Sequence, residues 1–161
     1  MTDEPDKAGK LIKATLVLFA MLLLALALFA GCKPPAQKAS FMLADDDGVQ
    51  FIEWTQEGRQ IRGSINVSEL KPGGEIGTSL VFFDGVLDGE NVSMTLKSSW
   101  TLRGGDKALK GEITGLLRGD TLWVFPTPGS EPGQFRRATA TEHAEASRKL
   151  QTRAKLNKGA H

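Results

Sequence analysis

Polar and apolar positions alternate along the middle of the chain. Ile61, Gly63, Ile65 and Val67 interleave with Arg62, Ser64, Asn66 and Ser68. Phe83, Gly85 and Leu87 alternate with Asp84 and Asp88, and Val92, Met94 and Leu96 with Ser93, Thr95 and Lys97. Successive side chains of a strand point to opposite faces, so a period of two predicts antiparallel strands with one face buried and one wet. The stretch Val49–Trp54 breaks phase: Val49 and Phe51 point one way, Ile52 and Trp54 the other. It is either buried on both faces or bulged.

The alternation is organised as a repeat. Phe83-x-Gly85-x-Leu87-x-Gly89-x-x-Val92 returns thirty residues later as Ile113-x-Gly115-x-Leu117-x-Gly119-x-x-Leu122. A looser copy runs from the Trp54 strand through Gly58 to Ile61. Each unit reads as strand, glycine-bearing turn (Glu57-Gly58, Asp88-Gly89, Arg118-Gly119), strand. Gly85 and Gly115 fall inside strands, where a glycine signals a bulge or the close approach of another backbone. The expected fold is mainly β: an antiparallel meander of hairpins forming a curved sheet, half-barrel or small barrel. Lys71–Gly74, Arg103–Asp106 and Pro126–Gly133 read as loops. Thr139 or Thr141 can cap a C-terminal α-helix from about Glu142 to Asn157, with a thin apolar stripe of Ala146, Leu150 and Ala154, and His143 at its start.

The other apolar signal lies at the N-terminus, where 20 hydrophobic residues fall within the first 31. Ala14 to Gly31 is uncharged and long enough to cross a hydrocarbon core as a helix, and Lys7, Lys10 and Lys13 precede it. It is either a secretory signal or a permanent anchor. Leu28-Phe29-Ala30-Gly31-Cys32 resembles the lipobox of bacterial lipoproteins. That resemblance implies cleavage between Gly31 and Cys32 and acylation of the Cys32 thiol, with Phe29 and the acidic n-region as departures. The segments expected are then a signal peptide (1–31), a lipid-anchored linker (32–40), a β-rich domain (41–138) and a basic C-terminal helix and tail (139–161). The β units themselves resemble, in outline over residues 41–155, a group of uncharacterised bacterial lipoproteins. Their shared motifs specify hairpins and carry over no activity.

Composition narrows the chemistry. Twenty Lys+Arg against nineteen Asp+Glu give a formal charge of +1, which argues against a nucleic-acid-coating protein. One cysteine leaves no intrachain disulfide or thiolate-rich metal site. The histidines, His143 and His161, both lie near the C-terminus, so a histidine-based catalytic or zinc centre is not expected. Asp45-Asp46-Asp47-Gly48 is the densest acidic cluster, but it lacks the further oxygens of a calcium loop and reads as a solvated turn. Other carboxylates sit at turn tips (Asp88, Glu90, Asp120) or wet positions (Asp84, Glu112) without forming an acid–base pair. Trp54, Trp100 and Trp123 read as core or interface packing before they read as a ligand pocket.

Charge divides along the chain: residues 32–135 hold 10 basic and 14 acidic side chains, net −4, and residues 136–161 hold 7 and 2, net +5. The basic helix either lies solvated against the acidic β body or contacts anionic lipid headgroups or wall polymers. The functional expectation is a non-catalytic binding or interaction module, without cofactor or metal. It is held at the extracytoplasmic face of the cell membrane by the lipid on Cys32. Its partner would be a protein, an envelope polymer or a small apolar ligand. The alternatives are a calycin-like carrier of a small apolar ligand and a single-pass protein with an uncleaved N-terminal helix.

Overall fold

A computed structural model describes residues 35–101, 108–125 and 131–158. Eight strands form a closed antiparallel barrel: β1 (Gln37–Ala44), β2 (Gly48–Glu57), β3 (Gln60–Leu70), β4 (Ile76–Asp88), β5 (Asn91–Leu96), β8 (Glu112–Arg118), β9 (Thr121–Phe125) and β10 (Gly133–Arg137). Each pairs with the next, and β1 closes the ring on β10. Two short strands, β6 (Trp100–Thr101) and β7 (Ala108–Leu109), pair between β5 and β8. One helix, α1 (Ala140–Lys158), follows the barrel. Of the curved arrangements the alternation allows, the chain adopts the closed one, which leaves no free strand at either side of the sheet.

The repeat is three hairpins of one design. Glu57 pairs with Gln60, Asp88 with Asn91 and Arg118 with Thr121, so each loop has two residues, the first a glycine. Gly58, Gly89 and Gly119 have φ of 61°, 61° and 56°, while the residues after them keep negative φ. That is the type II′ turn, whose twist matches the strands it joins. Gly63, Gly85 and Gly115 have a different role. A Cβ on Gly63 would strike the carbonyl oxygen of Glu53, one on Gly85 that of Ser93, and one on Gly115 that of Trp123. The neighbouring backbone passes where a side chain would stand, so the sheet coils tightly there without a bulge.

Inward positions from all ten strands fill the barrel, among them Phe41, Ile52, Trp54, Ile61, Ile65, Phe83, Met94, Leu122 and Phe135. Trp100 on β6 is 1% exposed and tilts against Phe135, 6.2 Å between ring centroids. Gln50 is the buried polar side chain of this interior, and its Nε2 donates to the Thr101 carbonyl at 2.8 Å, tying β6 to β2.

The phase break in β2 is burial on both faces. The β1–β2 and β2–β3 ladders run without interruption, so β2 carries no bulge. Ile52 and Trp54 enter the barrel, while Val49 and Phe51 join Met42, Ala138 and Leu150 in a second cluster outside it. Helix α1 covers that cluster with the expected stripe: Leu150 and Ala154 are buried and Ala146 packs beside them. Thr139 is the cap. Its Oγ1 accepts from Glu142 N–H at 3.2 Å, and Glu142 Oε2 accepts from Thr139 N–H at 2.8 Å, a reciprocal capping box. The helix therefore begins at Ala140, two residues ahead of the expected start.

One boundary shifts. β1 begins at Gln37, inside the stretch read as linker, because Gln37 to Ser40 pair with Gln56 to Glu53 and Ala39 lies opposite Trp54. The loop Arg103–Asp106 lies outside the described residues, as does most of Pro126–Gly133, whose last residue opens β10.

Candidate functional site

Cys32 and Gly31, the lipidation and cleavage residues expected from the sequence, lie outside the described residues, as does the apolar run before them. Among the described residues no helix is long and apolar enough to cross a membrane.

The end where the chain enters at Gln37 carries the three glycine turns. Each turn is laced to the next hairpin through its second residue. Arg59, Glu90 and Asp120 accept backbone hydrogen bonds from Leu87, Leu117 and Arg137 at 2.8, 2.7 and 2.6 Å. Their side chains repeat the step: Arg59 pairs with Asp88 at 2.7 Å, Glu90 with Arg118 at 2.9 Å and Asp120 with Arg137 at 2.6 Å. The turn-tip acids are thus neutralised one by one around the rim. These pairs are exposed, so they add register more than stability. Arg137 also stands over the Phe41 ring, 5.1 Å from its centroid.

Several other acids are similarly engaged. Asp84 receives Arg62 at 3.0 Å and Lys97 at 2.6 Å. These cations, Lys97 first, hold its carboxyl below the usual value. Glu142 is likewise lowered, chiefly by the Thr139 backbone N–H and then by Arg136. Ser93 Oγ donates to Glu112 at 2.7 Å. Asp45 Oδ1 accepts from the N–H groups of Asp47 and Gly48 at 2.9 and 3.1 Å, a side-chain turn of the kind expected of a solvated acidic loop. Arg153 on α1 fastens that loop at Asp46, 2.6 Å away. Among the described residues no three His, Cys, Asp or Glu groups gather to hold a metal.

His143 stacks on Phe51, centroids 4.4 Å apart and planes 4° from parallel. Burial lowers its pKa below the usual histidine value, and the Glu53 carboxylate opposes that shift. It is a packing residue of the helix. Trp54 and Trp100 belong to the interior, whereas Trp123 points outward and is half-buried.

Of the surface grooves that border α1, two are the larger. One, about 580 Å³, lies between the helix and the β1–β2 turn, with Met42, Val49 and Leu150 in its floor and charged groups at its rim. The other, about 620 Å³, crosses the outer faces of β1 to β4 between Ala140 and Phe82, and Lys38, Glu53 and Arg62 line it. Phe82 and its neighbour Leu80 are 57% and 49% exposed. Sequence reading missed these two residues. The signal was available in Leu80-Val81-Phe82-Phe83, four consecutive large apolar residues that one buried face cannot absorb.

No family model, curated protein or solved structure matches the chain.

Proposed function

We propose that the protein is a lipoprotein whose barrel serves as a non-catalytic binding or interaction module on the extracytoplasmic face of the cell membrane. The Leu28–Cys32 lipobox supports the anchor, and the short stretch from Lys33 to Ala36, ahead of β1, supplies a tether. The observation that carries the rest is the filled interior. Seventeen buried apolar residues occupy the space in which a carrier would hold its ligand. Recognition then falls to the outside, where exposed Leu80 and Phe82 mark a surface that a monomer gains nothing by keeping. This favours the interaction module over a calycin-like carrier. It also leaves the partner's class open to a protein or an envelope polymer.

The anchor is tested by intact-mass spectrometry of the membrane-extracted protein. The expected species begins at Cys32 and carries acyl chains, and Cys32→Ala loses both the label and the membrane fraction. A mature chain that retains residues 1–31 without acyl chains would overturn the proposal in favour of an uncleaved membrane helix.

A further inference from the structure

Charge is unevenly placed along α1. Glu142 and Glu145 are its acids, and residues 146–158 hold five cations and no acid. At about 100° per residue, buried Leu150 and Ala154 fix the side that faces the barrel. Arg153 leans from that side to pair with Asp46, which keeps the acidic turn at the level of the barrel. The outward half of the last three turns carries Arg148, Lys149, Gln151, Thr152, Lys155 and Leu156, all exposed. Its three cations hold no carboxylate among the described residues. Leu156 stands among them 70% exposed, a large apolar side chain outside both hydrophobic clusters.

An exposed leucine beside unpaired cations fits a surface that is anionic on top and apolar beneath. A soluble polyanion would use the cations and leave Leu156 in water. The place of the tether points the same way. Ala138 N–H donates to the Ser40 carbonyl at 3.1 Å, so α1 starts beside β1, the strand into which the chain from Cys32 leads. Cys32 precedes Gln37 by five residues, at most about 18 Å of chain. A helix with its side chains is about 10–12 Å across, so an anchor on that chain reaches the plane that the crest of α1 touches.

Granted the lipid anchor on Cys32, on which this inference rests, we propose that the barrel lies on its side. The crest of α1 then meets the anionic phospholipid headgroups of the bilayer that holds the anchor. The anchor supplies the local concentration, so a modest charge attraction is enough to set the orientation. Leu80 and Phe82 lie on β4, two strands round from the β2 under α1, and stay clear of the bilayer.

The acylated full-length chain in vesicles tests this, since acylation of Cys32 leaves an introduced cysteine as the one free thiol. A fluorophore on Thr152→Cys, at the crest, is compared with one on Thr114→Cys, exposed on β8 across the barrel from β2. In vesicles containing phosphatidylglycerol, nitroxide-labelled headgroups should quench the crest several-fold more than β8. The excess should vanish in phosphatidylcholine alone or in high salt. Arg148→Glu with Lys155→Glu should abolish it, and Leu156→Ser should lower it, with far-UV spectra unchanged. Equal quenching at the two positions, or an excess that survives the charge reversal, would overturn the contact. So would a crest fluorophore that responds to soluble poly(glycerol phosphate) as strongly as to anionic vesicles, which would mark a polymer site. A chain that floats with neither kind of vesicle would lack the anchor, and the lipoprotein reading would fall together with this contact.

Discussion

The two hydrophobic clusters share a strand and differ in construction. Inside the barrel, every strand contributes a side chain, and the close approaches at Gly63, Gly85 and Gly115 are sealed by rings and branched chains around them. Outside, one helix with a single buried leucine covers Met42, Val49 and Phe51, helped by Ala138 and the stacked His143. β2 serves both, turning Ile52 and Trp54 inward and Val49 and Phe51 outward. The interior is ringed by paired strands, so a void there relaxes little. The outer cluster is covered by a single helix, which can settle towards a smaller side chain. The first sets whether the barrel exists, the second whether the helix stays on it.

The largest expected effect lies in the interior. Phe83 is 1% exposed and its ring tip reaches the space above Gly63. Phe83→Ala should cost about 3–5 kcal/mol, a large part of the 5–15 kcal/mol that holds an ordinary domain together. Gly63→Ala addresses the same contact from the other side. Its methyl meets the Glu53 carbonyl, Phe83 and Trp54, and overpacking of this kind costs about 1–3 kcal/mol or more. Denaturant melts followed by tryptophan fluorescence would show both. A wild-type midpoint for either variant would mean that the interior is looser than its contacts indicate.

The outer cluster should yield less, and locally. Leu150→Ala removes its one buried leucine and is expected to cost about 2–3 kcal/mol, the low end for such a truncation, because the helix can settle. Hydrogen exchange should then rise along Ala140–Lys158 while β3, β4 and β5 keep their protection. Equal loosening of helix and barrel would erase the distinction between the two clusters.

The clusters also differ in how far the sequence revealed them. Period-two alternation showed which side chains of β3, β4 and β5 enter the barrel, and the glycine spacing located the three turns. Closure was not legible, since β1 and β10 meet through Phe41–Arg137 and Met42–Arg136, pairs separated by most of the chain. The role of Gln50 was also hidden: it anchors β6 through Thr101, a partner that no local pattern names. The double burial of β2 was visible as a phase break, but only the register decides between two covered faces and a bulge. Leu80 and Phe82 were masked by the run of apolar residues in which they sit, where alternation gives no contrast.

The smallest expected effect is one of pH. Burial against Phe51 lowers the pKa of His143, so the folded chain binds this proton less readily than the unfolded one, whose histidine titrates near 6.5. The contribution is fully present above that value and is lost as pH falls through it towards the lowered folded pKa. Asp84 and Glu142, both held below the ordinary carboxylate range by their cations and hydrogen bonds, lose their contributions only in more acidic solution. Between pH 7.5 and 5.5 the melting temperature should therefore fall slightly, by less than Leu150→Ala causes. His143→Phe, which keeps a ring over Phe51, should flatten that slope. An unchanged slope in this variant would place the proton elsewhere. A steeper loss confined to the helix would show that the imidazole stack, more than Leu150, fastens α1 to the barrel.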